Sequence, residues 1–238
     1  MDLGELVGVF MGILFFAGAT AAVGSVVYLI MKLRAGEKFN ISLRALLGAY
    51  LYLGAVIGLL VTVHGSALLL NAMFSLPFGK AFSYEAQPIF DAVPTEDGKT
   101  PSGISKRPSP DELREQRARH LDRGFRTGVL NGIMNVFFGG LFWGVHVVTR
   151  MRLEKAKGPD RGILRKAYLV ILLAIFGIGS IITLPTGTFE AVSYYVIEPI
   201  EEFGMRDPPG PRLATSIVFT PIWIFYLLAA IREVRQSE

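Results

Sequence analysis

The sequence predicts an all-α, polytopic membrane bundle of five transmembrane helices, arranged as two parallel two-helix repeats with an extra N-terminal helix. Two observations carry this. Of the 238 residues 51% are apolar and 18% charged, against about 25% charged in soluble proteins. The apolar residues also gather into five runs near the roughly 20 residues that cross a ~30 Å hydrocarbon core. The net charge of +4 collects at the ends of those runs, so it reads as a topology signal and no nucleic-acid partner is expected. With no cysteine, the chain has no disulfide, thiolate metal site, iron–sulfur cluster or covalently attached c-type haem.

The first run spans Leu6 to Met31. It is preceded by Asp2 and Glu5 rather than by basic residues and is too long for the apolar core of a cleaved signal peptide, so it counts as a retained helix within residues 1–33. The second run is Leu46 to Phe74 and the third Val129 to Val148; with a long loop over about 77–124 they form a first hairpin, residues 43–155. The fourth, Ala167 to Leu184, and the fifth, Ile217 to Ile231, form a second hairpin, residues 163–235.

Short loops rich in Lys and Arg stay in the cytoplasm. Lys32, Arg34, Lys38 and Arg44 stand between the first two spans, and Arg150, Arg152, Lys155, Lys157, Arg161, Arg165 and Lys166 between the third and fourth. The segment from Thr186 to Pro211 is acidic, with Glu190, Glu198, Glu201, Glu202 and Asp207, and so is the N-terminus. The expected topology in the cell (inner or plasma) membrane is N-terminus outside and C-terminus, with Arg232 and Arg235, in the cytoplasm.

Pro77, Pro88, Pro94, Pro101 and Pro108 predict irregular backbone in the long outer loop, either disordered or held by a partner. Ser109-Pro110-Asp111-Glu112 then reads as an N-cap, a first-turn proline and a capping-box acid, which opens a polar helix running toward Arg123. Val192, Val196, Ile200 and Phe203 recur at helical spacing among acids; the segment 189–203 either lies on the membrane surface or extends the fourth span.

Laying the second half on the first exposes a repeat. Ala49-Tyr50-Leu51 opens the second span as Ala167-Tyr168-Leu169 opens the fourth. Trp143, His146 and Arg152 close the third as Trp223, Tyr226 and Arg232 close the fifth, at the same spacing. Two hairpins in one orientation imply an axis along the membrane normal.

In the run Tyr50-Leu51-Tyr52-Leu53, the Trp143, His146 and Arg150 exit, and Tyr168 and Trp223, the chain resembles a bacterial membrane domain-of-unknown-function family built from two helical-hairpin repeats. The resemblance covers about residues 43–235 and departs from the pattern at Tyr226, where a histidine is expected. It implies an architecture and carries no catalytic residue.

Ionisable and polar groups within spans are the functional candidates. Bridging of a haem b iron by His64 and His146 is disfavoured by depth, since their positions place them on the order of 20 Å apart along the normal. His120 reads as solvated in the polar helix. His64 falls near the depth of Asn131 and Asn135, one helical turn apart, and a cross-helix hydrogen bond there is worth ~0.6–2 kcal/mol. Tyr50, Tyr52, Trp143 and His146, with Tyr168, Trp223 and Tyr226, read as clamps at the cytoplasmic helix ends. Gly4, Gly8 and Gly12 form a candidate helix-docking face, and Gly128/Gly132 and Gly140/Gly144 repeat the spacing in the third span.

No phosphate loop, HExxH, nucleophile elbow or shared carboxylate pair is present, so neither an enzyme nor a bound cofactor or metal is expected. The expectation is a non-catalytic accessory or scaffold subunit of a larger membrane complex, its partners being the lipid bilayer and other membrane subunits. A channel or small-solute transporter using His64, Asn131 and Asn135 is the first alternative, and a haem b or quinone-associated redox subunit the second.

Overall fold

The computed structural model describes residues 43–84, 109–154, 161–197 and 207–235. The N-terminal run with Gly4, Gly8 and Gly12, and most of the long loop, lie outside the described residues. Within them the fold is entirely helical: α1 (Leu43–Phe78), a one-turn α2 (Lys80–Ser83), α3 (Pro110–Glu154), α4 (Arg161–Val196) and α5 (Gly210–Arg235). Four of these, α1, α3, α4 and α5, are long and apolar enough to cross a membrane.

The charges bracket the spans. Between Arg126 and Arg150 of α3 lie 23 residues without Lys, Arg, Asp or Glu, and between Lys166 and Glu190 of α4 another 23. At 1.5 Å per residue each stretch is about 34 Å long, close to the thickness of a hydrocarbon core. The bundle thus has two polar rims, here called the Arg150 edge and the Arg126 edge. Helices α1 and α4 run from the first to the second, and α3 and α5 return.

Helices α1 and α3 pack antiparallel on glycine. Gly54 lies opposite His146, Gly58 opposite Trp143, Gly139 opposite Thr62, Gly65 opposite Asn135 and Gly132 opposite Leu69. A Cβ on Gly58 would stand 2.6 Å from the Trp143 backbone nitrogen, and one on Gly65 2.7 Å from that of Val136. Apolar tails of lipid compete for side-chain contact, so close backbone approach is what holds such a pair. Helices α4 and α5 use the same device, Gly177 under Trp223, Gly179 under Phe219 and Gly187 against the Arg212–Leu213 backbone. One core of Tyr52, Ala55, Val56, Leu59 and Val63 from α1, Tyr168, Leu172 and Phe176 from α4 and Tyr226 from α5 joins the helices, and Trp143 and Val147 of α3 pack against it half-buried.

Four hydroxyls inside the spans bond to their own helix, whereas the buried Ser180 hydroxyl of α4 finds no partner among the described residues. Thr62 donates to the Gly58 carbonyl at 2.7 Å, Ser66 to Thr62 at 2.9 Å, Thr183 to Gly179 at 2.8 Å and Thr220 to Ser216 at 2.7 Å. This satisfies them without water in the hydrocarbon region. Pro185 and Pro221 sit inside unbroken helices.

One boundary differs from the sequence reading. The predicted polar helix and third span are one helix of 45 residues, which passes through Gly124-Phe125-Arg126-Thr127 with no proline to break it. α2 and the first turns of α3 thus fall within the loop placed at 77–124, whose residues 85–108 lie outside the described residues. The segment from Phe189 to Val196 continues α4, which is one of the two courses the sequence left open for 189–203. The capping box forms as read: the Ser109 N–H donates to Glu112 Oε2 at 2.6 Å and the Glu112 N–H to Ser109 Oγ at 3.2 Å.

Candidate functional site: an aromatic and arginine box at one edge

At the Arg150 edge the interhelix contacts are made by rings. In α3, Trp143, His146 and Arg150 are spaced by three and four and so share a face, which meets α1 at Gly54 and Gly58. The His146 imidazole is buried and occupies the space a side chain on Gly54 would need. Its Nδ1–H donates to the Phe142 carbonyl at 2.7 Å, and the ring stands 5.4 Å from Tyr50 and 4.2 Å from Phe142. The Tyr50 and His146 rings, placed at one depth by the sequence, are thus in contact.

The second helix pair carries its own clamp. Tyr168 of α4 and Tyr226 of α5 are both buried, with hydroxyl oxygens 3.4 Å apart, and Tyr226 stacks on Phe176 with a 5° interplanar angle. Trp223 rests on Gly177, its Nε1 3.0 Å from where a Cβ would be.

What joins the pairs is Tyr52 and Arg150. The Tyr52 ring lies 5.3 Å from that of Tyr168, bringing parallel helices α1 and α4 side by side. The Arg150 guanidinium lies 4.7 Å from the centroid of Tyr52 and 5.0 Å from that of Tyr168. A desolvated cation on an aromatic face contributes on the order of 2 kcal/mol, so two such faces make a substantial tie. Just outside the box Arg165 pairs with Glu233 at 3.0 Å, fastening α4 to α5.

The sequence puts Arg150 among the loop charges and at the exit beside Trp143 and His146, but does not foresee its seat on Tyr52 and Tyr168. The signal was its spacing from His146 and Trp143, which puts all three on one face.

The other predicted cluster does not assemble. His64 is exposed, Asn131 is exposed, and no hydrogen bond joins His64 to Asn131 or Asn135. The helical phase explains it: Gly65, one residue and 100° away, is what α1 turns toward α3, where it meets the Asn135 Cβ. His64 lies ten residues along α1 from Gly54, the seat of His146, about 15 Å in axial rise. Among the described residues no group of three His, Cys, Asp or Glu side chains is placed to hold a metal ion.

The Arg126 edge is built differently. α1 ends at Gly79, whose φ of +86° turns the chain into α2. Asn71 fastens that turn: its Nδ2 donates to the Ser83 carbonyl at 3.0 Å, and Ser83 Oγ donates to the Asn71 carbonyl at 2.7 Å. Gly210, the first residue of α5, lies against Asn71 and the Phe82–Ser83 backbone. Phe74, Phe78 and Phe82 meet Tyr194 and Tyr195 of α4 in a ring cluster. Arg212 pairs with Glu190, and Lys80 with Asp122 at 2.6 Å. Asp122 also accepts from Arg126 at 2.7 Å. The hydrogen bond from Lys80, assisted by Arg126, holds its carboxyl below the ordinary value of 3.8. The link is thus complete at neutral pH and releases only as acid protonates Asp122 below that range.

Fold and box together define a helical, multi-pass membrane protein whose embedded polar side chains fasten helices to one another. No family model, curated protein or solved structure matches this chain.

Proposed function

We propose that the protein is a non-catalytic accessory or scaffold subunit of a larger membrane assembly. The observation that carries this is a notch on α3 that no described residue fills. Gly140 and Gly144 repeat the spacing used at the α1 contact, yet no described residue lies within 4 Å of where a Gly144 side chain would stand, and Gly140 meets only Thr62 Oγ1 at 4.0 Å. Beside it run the exposed side chains of Phe137, Leu141, Val145 and Val148. Only 17% of the apolar window of α3 is buried. A small-residue notch flanked by large apolar side chains is the shape that admits another membrane helix at short range.

The reading extends to topology: five spans in the cell membrane, N-terminus outside, with the Arg150 edge in the cytoplasm. The Lys and Arg bias of the short loops supports that orientation. The two-hairpin repeat is supported by equivalent contacts, Tyr50 on His146 in one hairpin and Tyr168 on Tyr226 in the other.

Purification of the tagged chain in mild detergent, with the mass of the intact particle, tests the subunit reading. A stoichiometric complex is expected, and Gly144→Leu is expected to dissociate it while the unfolding midpoint of the chain itself stays unchanged. A single chain by mass, or a complex indifferent to Gly144→Leu, overturns the reading.

A further inference from the structure

We infer that the Arg126 edge holds an anionic phospholipid, its phosphate in a basic groove on α3 and an acyl chain along the stripe of the same helix below it. The groove, a shallow depression open to the outside, is lined by Lys80, Arg119, Arg123 and Arg126 with Glu115 and Asp122, so four cations face two carboxylates. Arg119 pairs with Glu115 at 3.3 Å, and Asp122 is shared by Lys80 and Arg126. Arg123 makes no ion pair among the described residues, and the surplus positive charge is left for a ligand. The Thr127 hydroxyl stands at the membrane end of the groove as a further donor.

Depth selects the ligand. Arg126 is the last charged residue before the uncharged stretch of α3, and Arg119 lies seven residues further out, about 10 Å in axial rise. Headgroup layers add roughly 5–8 Å to each side of the hydrocarbon core, so the groove occupies the level of lipid phosphates. Arginine suits such an anion, because its planar fork donates two parallel hydrogen bonds to phosphate oxygens.

Register supplies the second, independent observation. Arg119, Arg123 and Arg126 follow one another by four and three residues, and the same alternation continues through Leu130, Ile133 and Phe137, all exposed. A cationic stripe therefore runs straight into an apolar one on a single helix face. A soluble phosphate would use only the upper half, whereas a phospholipid uses both.

The test is native mass spectrometry of the full chain in detergent, titrated separately with phosphatidylglycerol, phosphatidylcholine and sodium phosphate. Phosphatidylglycerol is expected to bind the more tightly of the two lipids. Arg123→Gln, which breaks no ion pair, is expected to weaken it about fivefold, in line with the contribution of one basic residue at a membrane surface. Ile133→Ser is expected to weaken phosphatidylglycerol while leaving any phosphate binding alone. Arg114→Gln, exposed and outside the groove, is expected to change nothing. Equal retention of the two lipids, or indifference to Arg123→Gln, overturns the assignment. Sodium phosphate that competes at the lipid's own concentration would replace the lipid with a free anion and overturn it too.

Discussion

A methyl group on Gly58 would have to enter the space of the Trp143 backbone, which has no rotamer to change. On Gly54 it would meet only the rim of the His146 ring, and on Gly144 no described atom. Gly58→Ala is therefore expected to destabilise the chain by about 1–3 kcal/mol, the usual cost of overpacking, with Gly144→Ala close to neutral. Denaturant unfolding in detergent micelles measures both, and equal midpoints for the two variants would show that α1 and α3 are not in the register described. At this scale the clamp residues were legible, since Tyr50, His146, Tyr168 and Tyr226 recur at matching positions near basic helix ends. The orientation of His64 was not. Depth can be counted along a helix, but facing depends on phase, and an error of one residue turns a side chain by 100°. Arg150 escaped for a related reason: a charge next to a basic loop reads as solvated until the aromatic faces of α1 and α4 are brought over it.

Helix α2 exists because α1 can stop and reverse within a single residue. Gly79 adopts φ +86° and ψ 156°, a region open almost only to glycine. Gly79→Ala is expected to cost about 1–3 kcal/mol and to loosen the turn that the Asn71–Ser83 bonds fasten, which faster hydrogen exchange at Phe82 and Tyr84, whose N–H groups donate to the Gly79 and Lys80 carbonyls, would register. Unchanged exchange there would mean that Asn71 alone fixes the turn. The capping box at Ser109 was legible because its chemistry is local, each partner lying three residues from the other. The continuity of α3 was not, since a polar stretch and an apolar stretch look like two elements whenever hydropathy is the ruler. Backbone propensity ignores that contrast, and between Ser109 and Glu154 only the solvent changes. The long uncharged runs, by contrast, made the existence of α1, α3, α4 and α5 plain, because lipid leaves few alternatives to a helix.

In the whole molecule the two helix pairs meet at both rims. Arg150→Lys keeps the charge but replaces a flat, stackable guanidinium by a compact ammonium, and is expected to cost on the order of 1 kcal/mol in unfolding free energy, measured in the same micelles. Unchanged stability would assign the joining of the pairs to Tyr52 and Tyr168 alone. Such ties between distant parts of the chain, and the seat of Gly210 on Asn71, could not be read ahead, because they depend on how helices are arranged around one another and no local pattern encodes that. The double fastening has a mechanical consequence. Carriers of the rocking kind swing one bundle against the other about a central site, opening alternately to each side. Here a swing that parts the pairs at one rim strips Arg150 from its two rings, and a swing at the other lifts the start of α5 off Asn71 and Ser83. A swing in either direction therefore has to break contacts between the pairs.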